Sequence, residues 1–148
     1  MDILVRFATQ SDIEFVSQDK YTPVDIVARK IEWREVVIAE LEGTPVGYAR
    51  IEYIWSQLPF ISLIHVLPET RRQGVGKAIL LFLESYLVES GHDALYSSSQ
   101  VDESPPQAWH RCVGFVECGV IAGMNEDGIG ELFFRKRLQK SLESFTSS

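Results

Sequence analysis

Positive charge is scarce in this chain: 14 Lys and Arg stand against 21 Asp and Glu, a formal net charge of −7 over 148 residues. A general nucleic-acid binder normally shows a basic face, so that class is excluded. An acidic surface instead attracts amines, and a cationic substrate fits it. Cysteine is scarcer still, with only Cys112 and Cys118. Two residues make no disulfide framework, and their expected state is a reduced thiol in the cytoplasm. Together with His65, His92 and His110 they form no recognised zinc spacing, so no metal is expected. No apolar run approaches the roughly 20 residues needed to cross a bilayer. The opening Met1-Asp2-Ile3-Leu4-Val5-Arg6 lacks a basic region followed by a long apolar stretch, so neither a secretory signal nor a membrane partner is expected. Repeats and linkers are missing as well. The length suits one domain with a real core, read here as residues 1–138, with residues 139–148 as a polar tail.

The most informative stretch that is present runs from Val66 to Lys77, Val-Leu-Pro-Glu-Thr-Arg-Arg-Gln-Gly-Val-Gly-Lys. The apolar run Ile61 to Val66 reads as a strand that ends at Pro68. A basic, glycine-bearing turn follows, and a helix opens at once with the stripe Val75, Ile79, Phe82, Leu83, Tyr86. Gly91 stands where a left-handed cap closes such a helix. The first amides of a helix have no intrahelical partner and carry partial positive charge. Gly74 and Gly76 leave them uncovered, and Arg71, Arg72 and Lys77 add full charges, so the turn suits a phosphate or diphosphate. A nucleotide P-loop is excluded, because Arg71 stands where its first glycine belongs and Ala78 where its hydroxyl belongs. A dinucleotide fingerprint is excluded because Ile79 replaces its third glycine.

Around this turn the chain alternates between two periodicities. Asp2 to Ala8 reads as a strand, and Thr9 to Ser17 as a short helix with Ser11 or Asp12 near its start. Thr22-Pro23 opens a further helix, with Thr22 as the cap and Pro23 in the first turn, running to Trp33. Glu35 to Glu40 and Val46 to Ile54 form a hairpin about Gly43-Thr44-Pro45. After the central helix come a strand at Ala94 to Ser99, a helix at Pro105 to Cys112, and strands at Phe115 to Ile121 and Glu131 to Arg137. The expected fold class is α/β, a mixed sheet of about seven strands with about four helices on its faces.

The spacing Arg-x-x-Gly-x-Gly at Arg71, Gly74 and Gly76, preceded by Val-x-Pro, resembles the acetyl-CoA signature of the GNAT family of N-acetyltransferases. The order of elements resembles that family over nearly the whole chain. So does Trp109-His110-Arg111-Cys112-Val113-Gly114-Phe115, where His110 stands in place of a usual tyrosine. The resemblance implies a GNAT-like fold whose two middle strands splay apart, so that the pantetheine arm of acetyl-CoA pairs with the open edge at Ile64, His65 and Val66. It implies a diphosphate held by the turn Arg71, Arg72, Gln73, Gly74, Val75, Gly76 and Lys77. An amine acceptor would attack the thioester directly, with His110 protonating the departing thiolate. The match is incomplete: Glu103 replaces an asparagine that contacts the arm, and Ser98 stands where some members carry a glutamate base. A serine cannot deprotonate an ammonium, so the base is absent, replaced by a water chain, or supplied elsewhere, with Glu52 and His65, on strands that could line the acceptor cleft, to weigh for that task. His110 and Glu52 are therefore the catalytic candidates. The missing base and tyrosine also leave open a module that senses CoA or acetyl-CoA with little turnover. Small domains of this kind often pair through sheet edges or helices, so a homodimer stays open too.

Overall fold

The computed structural model describes residues 2–139. In chain order the elements are β1 (Ile3–Phe7), α1 (Ile13–Val16), α2 (Val24–Glu32), β2 (Val36–Leu41), β3 (Thr44–Ile54), β4 (Leu58–Val66), α3 (Val75–Glu89), β5 (Ala94–Gln100), α4 (Ser104–Cys112), β6 (Val116–Ile121) and β7 (Glu131–Arg137). Short 3-10 turns at Gln10–Asp12 and Pro68–Thr70 precede α1 and α3. The strands form one mixed sheet in the order β1-β2-β3-β4-β5-β7-β6. The pairs β1–β2, β2–β3, β5–β7 and β6–β7 are antiparallel, while β4 runs parallel to β5 with Phe60 opposite Tyr96. Among the described residues no helix is long and apolar enough to cross a membrane. The polar tail expected from residue 139 onward lies outside the described residues from 140 on.

Several boundaries differ from expectation for physical reasons. The helix expected over Thr9 to Ser17 is a 3-10 turn followed by the single turn α1. Pro23, not Thr22, is the N-cap of α2, with extended dihedrals and no side-chain cap bond. The Thr22 hydroxyl instead accepts from Arg50 Nη2 at 3.4 Å, a long-range partner no local pattern announces. The hairpin turn sits one step early, at Glu42 (φ 51) and Gly43 (φ 82). Two consecutive positive φ angles match the twist of the flanking strands. Helix α3 does close at Gly91 (φ 94): the Gly91 amide donates to Val88 C=O at 3.0 Å and the His92 amide to Leu87 C=O at 2.9 Å.

The chain divides into two compact units: residues up to Glu52 with Ile61–Leu83, and Tyr53–Phe60 with residues from Glu84 on. The first unit is built on a core of Ala8, Val16, Val27, Ile31, Val36, Ile38 and Tyr48. Each large apolar side chain buried there contributes about 1.5–3 kcal/mol. Arg50, 2% exposed, crosses this core and forms a two-point bond to Asp19, Nη1 to Oδ1 at 2.8 Å and Nη2 to Oδ2 at 2.6 Å. Tyr48 donates to the same carboxylate at 2.6 Å. The pairing holds the Asp19 carboxyl far below the usual carboxylate range: hydrogen bonds from Arg50 and Tyr48 outweigh a desolvation that pushes it up. The α1–α2 connection is thereby tied to β3. In the second unit, β5 and β7 pair along their whole length from Ala94 opposite Arg137 to Gln100 opposite Glu131, with Leu95 and Phe134 fully buried.

Candidate functional site

In the first unit, the end of β4 leads into a turn pinned from within. The Thr70 hydroxyl donates to Leu67 C=O at 3.1 Å and Gln73 Nε2 to Glu69 C=O at 3.3 Å. Arg71 Nε donates to Val66 C=O at 3.1 Å, which fixes the last strand residue against the turn. Arg72 (φ 67) and Gly74 (φ 86) both take left-handed backbone. For an arginine that costs on the order of 1–2 kcal/mol, strain of the kind found where a loop is shaped for a ligand. The ladder of α3 opens with Ala78 N–H on Gly74 C=O at 2.9 Å. The amides of Val75, Gly76 and Lys77 therefore lie ahead of its first i→i−4 bond. A Cβ built on Gly74 meets nothing within 4 Å, so the space beside Gly74 itself is open. Arg71, Arg72, Gln73, Gly74 and Lys77 are exposed, Gly76 is half-buried, and Val75 is 1% exposed. Val75 can thus offer an anion only its amide, and its side chain is an anchor.

That anchor depends on Gly47 of β3, which the sequence reading missed. A Cβ there would lie 3.0 Å from the His65 carbonyl oxygen and 3.1 Å from Val75 Cγ1. A glycine interrupting a strand is the available signal, since it often marks a close backbone approach. Ile64, His65 and Val66 are half-buried at the end of β4, with the His65 ring 5.2 Å from that of Tyr48. Glu52 is exposed on β3.

In the second unit, His110 lies on α4, 5% exposed, stacked on Phe134 at 4.5 Å between ring centroids. Its Nδ1 is 2.8 Å from Pro106 C=O, which can only accept, so Nδ1 carries the proton. Nε2 then accepts from the Ser97 hydroxyl at 2.7 Å. Burial pushes the His110 pKa down, only partly offset by the Pro106 carbonyl and the charge of Glu131. Neither ring nitrogen is free in this arrangement, and the neutral form is the stable one. Cys112 and Cys118 are exposed and unpaired with each other. Among the described residues no group of three or more His, Cys, Asp or Glu side chains is placed to hold a metal.

The opposite face of β5 carries a second polar group absent from the sequence reading. Ser98 donates to Glu131 Oε2 at 2.7 Å, and Asn125 Nδ2 donates to Glu131 Oε1 at 3.0 Å. Sequence separations of 33 and 6 residues hide this set from any motif.

A model described as the acetyltransferase (GNAT) family matches residues 6–115. No curated protein matches the chain. Among solved structures, Ard1 from Thermoplasma volcanium has a TM-score of 0.83 at 17% identity, covering 95% of this chain and 100% of that one. A ribosomal-protein-alanine N-acetyltransferase from Brucella melitensis has a TM-score of 0.77 at 23% identity, covering 91% and 99%. The yncA protein of Salmonella typhimurium, solved with its cofactor acetyl-CoA, has a TM-score of 0.76 at 16% identity, covering 95% and 96%. At these identities the structural likeness is one of fold.

Proposed function

The chain belongs to the GNAT family of acetyltransferases, and from that membership we propose that it moves an acetyl group from acetyl-CoA to a primary amine within a ternary complex. The observation that carries this is the open turn before α3: three amides ahead of the first helical bond, an unobstructed Gly74, and cations at Arg72 and Lys77. These residues fit a diphosphate, which needs donors and positive charge without side-chain bulk. Arg71 serves differently, holding Val66 through its carbonyl. The backbone of Ile64, His65 and Val66 holds the pantetheine arm as an added strand. Bound acetyl-CoA supplies a thioester carbon open to a nucleophile, and binding it beside the amine removes much of the entropic barrier. Both units work as one domain over residues 1–138, since the family match runs through residues of both, in a cytoplasm that keeps Cys112 and Cys118 reduced.

We assign His110 a supporting task instead of proton donation. Its bonds to Ser97 and Pro106 join α4 to β5 and leave no free N–H for a thiolate. The same observation favours one second reading, a CoA or acetyl-CoA sensor that turns over little. Release of free thiol from acetyl-CoA across a panel of primary amines separates the two. A transferase gives amine-dependent thiol, and a sensor gives a thermal shift with acetyl-CoA but no thiol. A shift of equal size with ATP or NAD removes both readings.

A further inference from the structure

We propose that Glu131 is the carboxylate that receives the acceptor's ammonium and takes its proton; the assignment rests on the transferase reading above. Among the described residues, six acidic side chains are partly withdrawn from solvent: Asp12, Asp19, Glu35, Glu40, Glu84 and Glu131. Five of them lie against a cation. Asp12 and Glu40 pair with Arg6, Asp19 with Arg50, Glu35 with Lys30, and Glu84 with Lys136. Glu131 alone is met by neutral donors, the Ser98 hydroxyl and the Asn125 amide. Withdrawing a carboxylate from water without a counter-charge is costly, so such a group is a receptor for a cation. An ionised carboxylate has about four lone-pair sites, and these two donors leave about half of them for a ligand.

The surroundings say which cation. Side chains directly opposite in an antiparallel pair share a face. The register puts Gln100 opposite Glu131, Ser98 opposite Phe133 and Tyr96 opposite Arg135. The Phe60 ring lies 5.7 Å from that of Phe133, so the face is an aromatic floor with one uncompensated anion. Arg135 belongs to the same face but directs its Nε to the Tyr96 hydroxyl at 3.3 Å. An organic ammonium, apolar on one side and a hydrogen-bond donor on the other, matches this floor. Ser98 and Asn125 are the positioning residues, and Asn125 is itself held by a second Nδ2 bond to Ile129 C=O at 2.9 Å.

The step balances without another reactant. Glu131 takes one proton from the ammonium and later gives it to solvent. The nitrogen lone pair forms the C–N bond at the acetyl carbon, and the C–S bond breaks with its electron pair on sulfur. The second nitrogen proton goes to that thiolate, which leaves one N–H on the amide product.

Glu131→Gln keeps the shape while removing the base: Asn125 Nδ2 still donates to the amide oxygen, and the Ser98 hydroxyl turns to accept from the amide nitrogen. The probes are alaninamide and Nα-acetyl-lysinamide, assayed by thiol release from acetyl-CoA. Other ionisable groups on the neighbouring elements are Tyr96 on β5, Arg135, Lys136 and Arg137 on β7, Glu117 and Cys118 on β6, His110, Arg111 and Cys112 on α4, and Glu126 and Asp127 in the β6–β7 connection. The substitution removes the charge that Glu131 exerts on His110 and so moves the His110 pKa further down, favouring the neutral ring it already has. The expected result near pH 7 is a fall in kcat/KM of about 100-fold or more. The deficit narrows as pH rises through the amine's own pKa, about 8 for an α-amine, because solution then supplies free amine. Acetyl-CoA affinity by calorimetry and the melting temperature stay at wild-type values, and Ser98→Ala gives a smaller deficit of the same form. A loss under threefold, a deficit equal at every pH, a deficit that follows the melting temperature, or a larger loss in Glu52→Gln overturns the assignment and leaves the transferase reading intact. Wild-type protein that binds acetyl-CoA but yields no thiol with either amine overturns both.

Discussion

Placing a side chain at Gly74 separates backbone strain from charge at the turn before α3. At φ 86, any L-residue there pays the left-handed penalty, on the order of 1–2 kcal/mol. A Cβ meets nothing within 4 Å, so no steric cost is added. For a chain of this length that strain lowers the melting temperature by roughly 3–6 °C. Gly74→Ala should show this loss while binding acetyl-CoA nearly as well as wild type. Gly74→Glu carries the same strain, yet its carboxylate sits at the positive end of α3 and recovers about 0.3–1 kcal/mol of stability. The order reverses for binding. A carboxylate about 5 Å from one phosphate charge repels it by about 3 kcal/mol at an effective dielectric of 20, and by about 0.8 kcal/mol in bulk water. An exposed turn lies between these limits, so about 1.5–2 kcal/mol is expected, a 10- to 30-fold weaker Kd. The Glu variant is thus the more stable of the two and the poorer binder. Calorimetry with acetyl-CoA and thermal melts in one buffer measure both. Equal affinities in the two variants would place the diphosphate elsewhere and refute the phosphate site.

Gly47→Ala drives a methyl group to 3.0 Å from the His65 carbonyl and 3.1 Å from Val75 Cγ1. The expected cost is about 1–3 kcal/mol of stability, with weaker acetyl-CoA binding as the turn shifts; urea melts and calorimetry check both. Asp19→Asn leaves Arg50, 2% exposed, without its counter-charge. That loss is roughly 3–5 kcal/mol in urea unfolding, and an equally stable variant would deny the buried pair its role. For His110 the folded pKa lies below the ordinary 6.5, so the unfolded chain binds more protons across that interval. Stability should be full above about 6.5 and fall as pH drops below it, a slope that His110→Gln abolishes. Asp19, with its folded pKa lowered from 3.8, supplies stability above that value that is lost only at more acid pH, so the two windows are separable.

Strands and the central helix were legible because their periodicity is local. The Schellman closure at Gly91 was legible because only a residue without Cβ sits easily at φ 94. Reading failed where a distant partner decides. The Thr22-Pro23 pair looks like a capping threonine followed by a first-turn proline, but the Thr22 hydroxyl is claimed by Arg50, 28 residues on. The expected stripe on α3 named Phe82 and Tyr86, which are half-buried, and missed Leu80 and Leu87, which are fully buried. A helix covered on more than one side does not announce its faces by a single stripe.

The two halves of the candidate chemistry differ in legibility for a related reason. Diphosphate recognition uses amides and glycines at fixed offsets along one turn, so the motif at Arg71, Gly74 and Gly76 carries it in six letters. Proton transfer needs one acid whose charge is left unmatched, and matching is a property of the whole fold. Arg6 reaches across to Glu40 and Lys136 reaches back to Glu84, separations of 34 and 52 residues. In the sequence, Glu52 and Glu131 are two acids among 21, each on a strand. Only when the partly buried acids are paired off against their cations does Glu131 remain, and that pairing is written in the fold and not in the composition.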